Sequence, residues 1–160
     1  MREGFKHQNS GTKTSSFGAP GRINHDSSEF YNSKMYADKR VNEKIKFIEN
    51  TIPAENLDKI YCKSSVAMDD IPDYSVHLMV TSPPYNVKKE YDEDLSLEEY
   101  RALLKAVFEE TYKKLVTGGR ACINVANLGR KPYIPLHSYI IEDMLKVGFF
   151  MRGEIIWNKA

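Results

Sequence analysis

The sequence lacks an excess of charge of either sign. Its 160 residues carry a net charge of +1, with a pI near 7.7, so no global basic field announces a nucleic-acid-binding chain. The balance is uneven only locally. Arg2, Lys6, Lys13, Arg22, Lys34, Lys39, Arg40, Lys44 and Lys46 outnumber the acids of the first fifty residues, and these read as solvated cations first and DNA backbone contacts second. Cysteine is scarce. Cys62 and Cys122 lie far apart, each in an apolar stretch, which points to buried thiols in a reducing compartment rather than a disulfide. The four histidines stand at no metal-ligand spacing, so no metal site is expected. No apolar run reaches membrane-spanning length and the N-terminus has no signal-peptide core, so a soluble, cytoplasmic protein with no membrane partner is expected. The length suits one domain able to bury a core.

The organisation of the chain comes from its punctuation. Residues 1–35 are rich in Ser, Asn, Gly and Lys without periodicity and read as a flexible arm, with Phe17, Phe30 and Tyr31 available to dock on a partner. Residues 36–56 hold a surface helix and linker. Val41, Ile45 and Ile48 form its stripe, it ends near Asn50, and Pro53 bars its continuation. Residues 57–160 then alternate strand and helix. Strands are expected near Lys59–Cys62, at Ser75–Thr81, over "RACINVA" and over "FFMRGEIIW". One helix starts at Ser96, where Glu99 completes a capping box. Leu97, Tyr100, Leu104, Val107, Phe108, Thr111 and Leu115 form its stripe, and Gly118 and Gly119 are expected to stop it. A second helix runs from about Leu136 to Val147 and is closed by Gly148. This order predicts an α/β fold with a mainly parallel sheet.

The stretch "VTSPPYN", Val80 to Asn86, carries the chemistry. Prolines end a strand because they cannot donate to the ladder, so the chain stops at the sheet rim where open α/β folds bind ligands. Pro83 and Pro84 fix φ, and Pro84 also holds its predecessor extended. Two carbonyls are thereby held still, beside the Ser82 hydroxyl and the flat face of Tyr85. Together they make a slot for a planar heterocycle bearing an exocyclic amine. Accepting the amine's hydrogens draws its lone pair out of conjugation and towards an electrophile.

With "SVHLMV" before it and "TGGRACINV" and "FFMRGEIIWNKA" after it, this motif resembles the amino-methyltransferases of DNA. The resemblance covers roughly residues 59–160 and implies a partial Rossmann-like, S-adenosyl-L-methionine-dependent methyltransferase fold. It implies methylation of a flipped base in double-stranded DNA at cytosine N4, or alternatively adenine N6, as in restriction-modification systems. The early position of the motif implies the permuted, β-type order. The implied catalytic residues are Ser82, Pro83, Pro84 and Tyr85, with Tyr85 stacking the base and Ser82 and the Pro83 carbonyl accepting the amine. Asn86, Lys88 and Lys89 are assigned to the substrate. For Asn86 the alternative is a cap of its own loop, and for the two lysines a solvated face. The family's Phe-x-Gly-x-Gly donor loop has no counterpart here, because "FGAPG" at Phe17–Gly21 follows no strand and opens no helix. The cofactor-binding residues are therefore unassigned. A complementing polypeptide, or self-association, is expected to supply the rest of the sheet. The other class of function is an incomplete, non-catalytic DNA-binding subunit. The helix stripe from Ser96 is read as core alone. Asn124 and Asn127 are read as loop hydrogen bonding, and Arg152 and Trp157 as surface and packing.

Overall fold

The computed structural model describes residues 33–36, 46–86, 90, 94–129 and 131–158. The chain divides into two units, Ile45–Arg152 and a second made of Met1–Lys44 with Gly153–Ala160. In the second, the described residues form a 3-10 turn at Lys34–Tyr36 and an irregular segment whose Ile155, Ile156 and Trp157 are exposed. The expected arm and most of the expected first helix lie outside the described residues.

The Ile45–Arg152 unit is an α/β fragment built on two parallel strands. β1 is Val76–Thr81, α1 is Leu97–Lys114, β2 is Leu115–Ile123 and α2 is Leu136–Val147. β1 pairs with β2 through Met79↔Ala121, Val80↔Cys122 and Thr81↔Ile123. The connection between these parallel neighbours is α1, a helical crossover of the kind parallel strands require. α1 begins as its sequence dictates. Ser96 accepts from the Glu99 N–H at 3.2 Å, and Glu99 accepts from the Ser96 N–H at 2.8 Å. The Ser96 backbone and hydroxyl bonds hold the Glu99 carboxyl below its ordinary pKa.

One core forms between the two helices and one face of the sheet. Tyr100, Leu104 and Phe108 of α1 meet Leu136, Ile140 and Met144 of α2, with Met79, Ala121 and Ile123 packed against them. At the periphery of the helix pair, Arg101 grips Asp143 through two bonds of 2.8 and 2.7 Å and reaches Glu142 at 3.0 Å. Its guanidinium also lies 4.7 Å from the Tyr139 ring centroid. The bond to Asp143 raises the Arg101 pKa further above its ordinary range.

The helix end differs from expectation. α1 stops at Lys114, and its last residue passes directly into the extended Leu115. Gly118 and Gly119 are not the stop, because another part of the chain supplies it. The carbonyls of Lys113 and Lys114 accept from the N–H groups of Tyr74 and Ser75 at 2.9 and 2.8 Å, so the orphan acceptors of the helix end are met without a left-handed cap. The glycines instead build an excursion within β2. Val76 pairs with Leu115 but Leu78 pairs with Arg120, so residues 116–119 loop out opposite His77 alone. Gly118 turns there at a φ of 82°, and a Cβ on Gly119 would lie 2.9 Å from the Val116 carbonyl. Gly148 does close α2 as expected, at a φ of 121°.

Four further expectations are corrected. Residues 59–62 form no strand, and Ile60 is fully exposed. Residues 149–157 form no strand either. Apolar runs become strands only where their N–H and C=O groups meet a ladder, and neither run has a neighbouring strand among the described residues. Residues 46–50, the end of the expected surface helix, are irregular. The N–H of Ile48 goes to the Thr117 hydroxyl at 3.3 Å and that of Asn50 to the Tyr74 carbonyl at 2.7 Å, so neither closes a helical turn. Finally, Cys62 and Cys122 are free thiols but exposed rather than buried. Cys122 shares with Leu78 and Val80 the sheet face that the helices leave bare.

Candidate active site

The site stands where β1 ends. The ladder continues one step past the strands, with the Asn124 N–H donating to the Thr81 carbonyl at 2.8 Å. Ser82 follows at the rim and is exposed, Pro83 is buried, Pro84 is exposed, and Tyr85 and Asn86 are half-buried. The chain leaves the sheet here because the next two residues have no N–H to offer it.

What holds this loop is the start of α1. The Tyr100 hydroxyl donates to the Pro84 carbonyl at 2.6 Å. Asn86, at a φ of 55°, uses both ends of its amide on one residue. Its Nδ2 donates to the Leu95 carbonyl at 2.5 Å, and its Oδ1 accepts from the Leu95 N–H at 3.0 Å. Asparagine tolerates this left-handed backbone better than most residues, and its short amide mimics a peptide group. Leu95 precedes the N-cap Ser96, and Tyr100 lies one turn further on. Side chains in a helix lean towards its N-terminus, which carries the Tyr100 hydroxyl up to the loop. The motif and the capped helix end thus form one fastened unit.

The acceptors divide into those used and those left over. The Pro84 carbonyl and the Asn86 side chain are engaged by the protein. The Ser82 hydroxyl, the Pro83 carbonyl and the Tyr85 hydroxyl have no hydrogen-bond partner among the described residues. Of the alternatives for Asn86, capping its own loop is the one this geometry displays. Lys88 and Lys89 lie outside the described residues, as does Tyr91. Asn127 serves the loop before α2, as expected. Its Oδ1 accepts from the His137 N–H at 3.2 Å, and its Nδ2 meets the Tyr133 hydroxyl at 2.5 Å. Asn124 likewise extends the ladder through its backbone. Arg152 and Trp157 are exposed.

Sequence reasoning missed Tyr100, which it counted only as core. Its ring is indeed core, 4% exposed, but a buried phenol must place its hydroxyl somewhere. A tyrosine amid an apolar stripe, one turn inside a capped helix that follows a rim loop, was the available signal. A cleft lies apart from the loop, lined by Tyr61, Lys63, Met68, Asp70 and Ile71, with a volume of about 40 Å³. Pockets that hold drug-sized ligands run to several hundred Å³, so this one is too small for a nucleoside.

A family described as DNA methylase, of the N6 and N4 type, matches residues 76–160, more than half of the chain. Type II methyltransferase M.MjaI of Methanocaldococcus jannaschii is 36% identical over 135 residues, which cover 63% of this chain and 45% of that protein. Type II methyltransferase M.BglII of Bacillus subtilis is 34% identical over 113 residues, covering 69% and 31%. The chain therefore spans less than half the length of these curated relatives. Among solved structures, a DNA modification methylase candidate of Thermus thermophilus, in complex with S-adenosyl-L-methionine, superposes with a TM-score of 0.40. It is 36% identical, and the match covers 50% of this chain and 36% of that one.

Proposed function

The chain belongs to the DNA methylase family of N6- and N4-amino-methyltransferases, and from that premise we propose that it carries the Ser-Pro-Pro-Tyr catalytic half of a permuted, β-type enzyme. The reaction is methyl transfer to the exocyclic amine of a base in double-stranded DNA, with cytosine N4 favoured over adenine N6 by the serine at position 82. The base leaves the duplex to reach the slot, because its amine is otherwise paired. One observation carries the proposal. At the rim of β1, the Ser82 hydroxyl and the Pro83 carbonyl have no hydrogen-bond partner among the described residues, while the Pro84 carbonyl and the Asn86 side chain are spent on the scaffold.

Their chemistry follows from that placement. Ser82 and Pro83 accept the two amine hydrogens and hold the nitrogen lone pair out of ring conjugation. Tyr85 stacks on the ring. The nitrogen sheds a proton to solvent after transfer, so no strong base is needed. S-adenosyl-L-methionine, when bound, supplies an electrophilic methyl group. No donor site is assigned to the residues described here, which carry no counterpart of the Phe-x-Gly-x-Gly loop. Donor binding and target recognition are assigned to polypeptide outside these residues, continuous with them or in a complementing subunit. Lys88 and Lys89 are assigned to DNA phosphates, and the enzyme acts in the cytoplasm.

The test is Ser82→Ala and Tyr85→Ala in the complete enzyme, read by single-turnover methylation beside a DNA-binding titration. Removing one preorganised partner of a reacting group typically costs about 100-fold in the chemical step, whereas affinity rests mainly on phosphate contacts. We expect that loss with DNA affinity little changed. Full turnover in Tyr85→Ala would sink the slot. Analysis of the methylated nucleoside decides between N4-methylcytosine and N6-methyladenine, and absence of product from the complete wild-type assembly would favour a non-catalytic subunit.

A further inference from the structure

We propose that Tyr100 is a positioning residue of the methyl-transfer site, acting through the Pro84 carbonyl; this rests on the assignment of the Ser-Pro-Pro-Tyr loop as the amine site. The loop has few backbone torsions left to fix. φ is locked by the ring at Pro83 and at Pro84, and ψ of Pro83 is confined to extended values because a proline follows it. The next soft torsion is ψ of Pro84. It sets the direction of the Pro84 carbonyl and, through the planar peptide, the direction in which Tyr85 leaves.

The Tyr100 hydroxyl takes hold of that torsion. It donates to the Pro84 carbonyl at 2.6 Å from a ring that is 4% exposed and packed with Leu104, Phe108 and Leu136. A ring so packed has little freedom, so the bond ties Pro84 to the core. Beyond Tyr85 the chain is fastened again, by the paired bonds between Asn86 and Leu95. Tyr85 is therefore suspended between two anchors on one helix end. A second consequence concerns the acceptors. With its carbonyl turned to Tyr100, Pro84 does not compete with Pro83 for the amine, and the slot presents one proline carbonyl rather than two. Tyr100 makes no claim on substrate itself.

Tyr100→Phe removes one oxygen and keeps the ring in the core. In the complete enzyme we expect the single-turnover rate to fall by roughly tenfold to a hundredfold, the scale set by misplacement of a reacting group by about 1 Å. KM for DNA and for the donor should stay within about twofold, because uniform binding is untouched. Ser82→Ala, made in parallel, should be the more severely impaired. An independent measurement uses enzyme labelled with carbonyl-¹³C proline. The Pro84 resonance should shift upfield in Tyr100→Phe as its hydrogen bond is lost, while the resonance of Pro53, whose carbonyl accepts from the Asn56 N–H outside the core around Tyr100, stays in place. A wild-type rate in Tyr100→Phe with an inactive Ser82→Ala overturns the positioning role and leaves the site assignment standing. An unmoved Pro84 resonance overturns the hydrogen bond itself. Full activity in Ser82→Ala overturns the site assignment, and the positioning role with it.

Discussion

The two faces of the β1–β2 sheet are made of the same kinds of residue and meet opposite fates. On one, Met79, Ala121 and Ile123 pack against the core formed by α1 and α2. On the other, Leu78 is 55% and Val80 70% exposed, and Cys122 lies open beside them. Strand side chains alternate, so neighbours in sequence serve different faces. A parallel sheet is normally covered on both. Here one layer is present and the other is not among the described residues. The difference teaches which positions the fold fragment itself needs. Residues of the covered face set its stability, and those of the bare face add no packing among the described residues.

The largest contrast lies in the covered core. Phe108 is 1% exposed at the centre of the helix pair. Phe108→Ala should cost about 3–5 kcal/mol, by lost transfer energy and the cavity left behind. Urea denaturation of the 160-residue chain would read this as a large fall in midpoint at unchanged slope. A loss below about 1 kcal/mol would mean that the helix pair does not hold the fragment together, and the contrast between the faces would collapse.

A smaller effect sits at the edge of the covered layer, where the segment before β1 is tied to α1. The Glu110 carboxylate accepts from the Met68 N–H at 3.2 Å and from Lys113 at 3.1 Å, and it pairs with Lys114 at 3.3 Å. Lys114 in turn donates to Asp73 at 2.8 Å. Burial raises the Glu110 pKa, but the Met68 N–H and the two lysines outweigh it and hold the group below the ordinary carboxylate value. A depressed carboxylate gives stability that is present above its unfolded pKa of about 4.3 and lost as pH falls through the folded one. The Lys114 pKa is raised, by the bond to Asp73 first, against the effect of burial. Its contribution is therefore present below the ordinary lysine value and lost only in strong alkali. Between neutral pH and the acid range, Glu110 governs. Glu110→Gln should cost about 1.5–3 kcal/mol at pH 7, the range for hydrogen bonds to charged groups. The gap between variant and wild type should narrow as pH drops below about 4. Thermal melts across that range check it, and a gap independent of pH would show that the carboxylate charge is not what ties the segment down.

Much of this was legible in the sequence, and the failures share a cause. The capping box at Ser96, the stripe of α1 as far as Thr111, the bounds of α2 and the turn at Gly148 are local signals, written in residues three or four apart, and they stand as read; Leu115, expected on the same stripe, opens β2 instead. The rim position of Ser82–Tyr85 was equally legible, since two prolines after an apolar strand leave it few alternatives. What failed depends on distant neighbours. The runs around Ile60 and Ile155 look like strands, yet strand character is completed by a partner's backbone, and none is present among the described residues. The glycines after α1 looked like a helix stop, but Tyr74 and Ser75 already supply one from the far side of β1. The Tyr100 hydroxyl went unread for the same reason, because its acceptor lies sixteen residues back, across a loop.

The smallest effect sharpens the contrast most. Val80→Thr replaces one methyl group by a hydroxyl at nearly constant shape and keeps the β-branch that suits a strand. On a face open to water the hydroxyl stays hydrated, so in the 160-residue chain the change should lie within about 0.5 kcal/mol. In a covered sheet the same hydroxyl would be buried without a designed partner, at a cost of about 1–3 kcal/mol. Denaturation of the chain alone and of the complete enzyme, each with and without the substitution, compares the two environments directly. A near-zero effect in the chain and a loss in the complete enzyme would identify Val80 as part of a second core that other polypeptide closes. Near-zero effects in both would mean that the face stays wet, and that the asymmetry between the two sides of the sheet is a property of the finished fold.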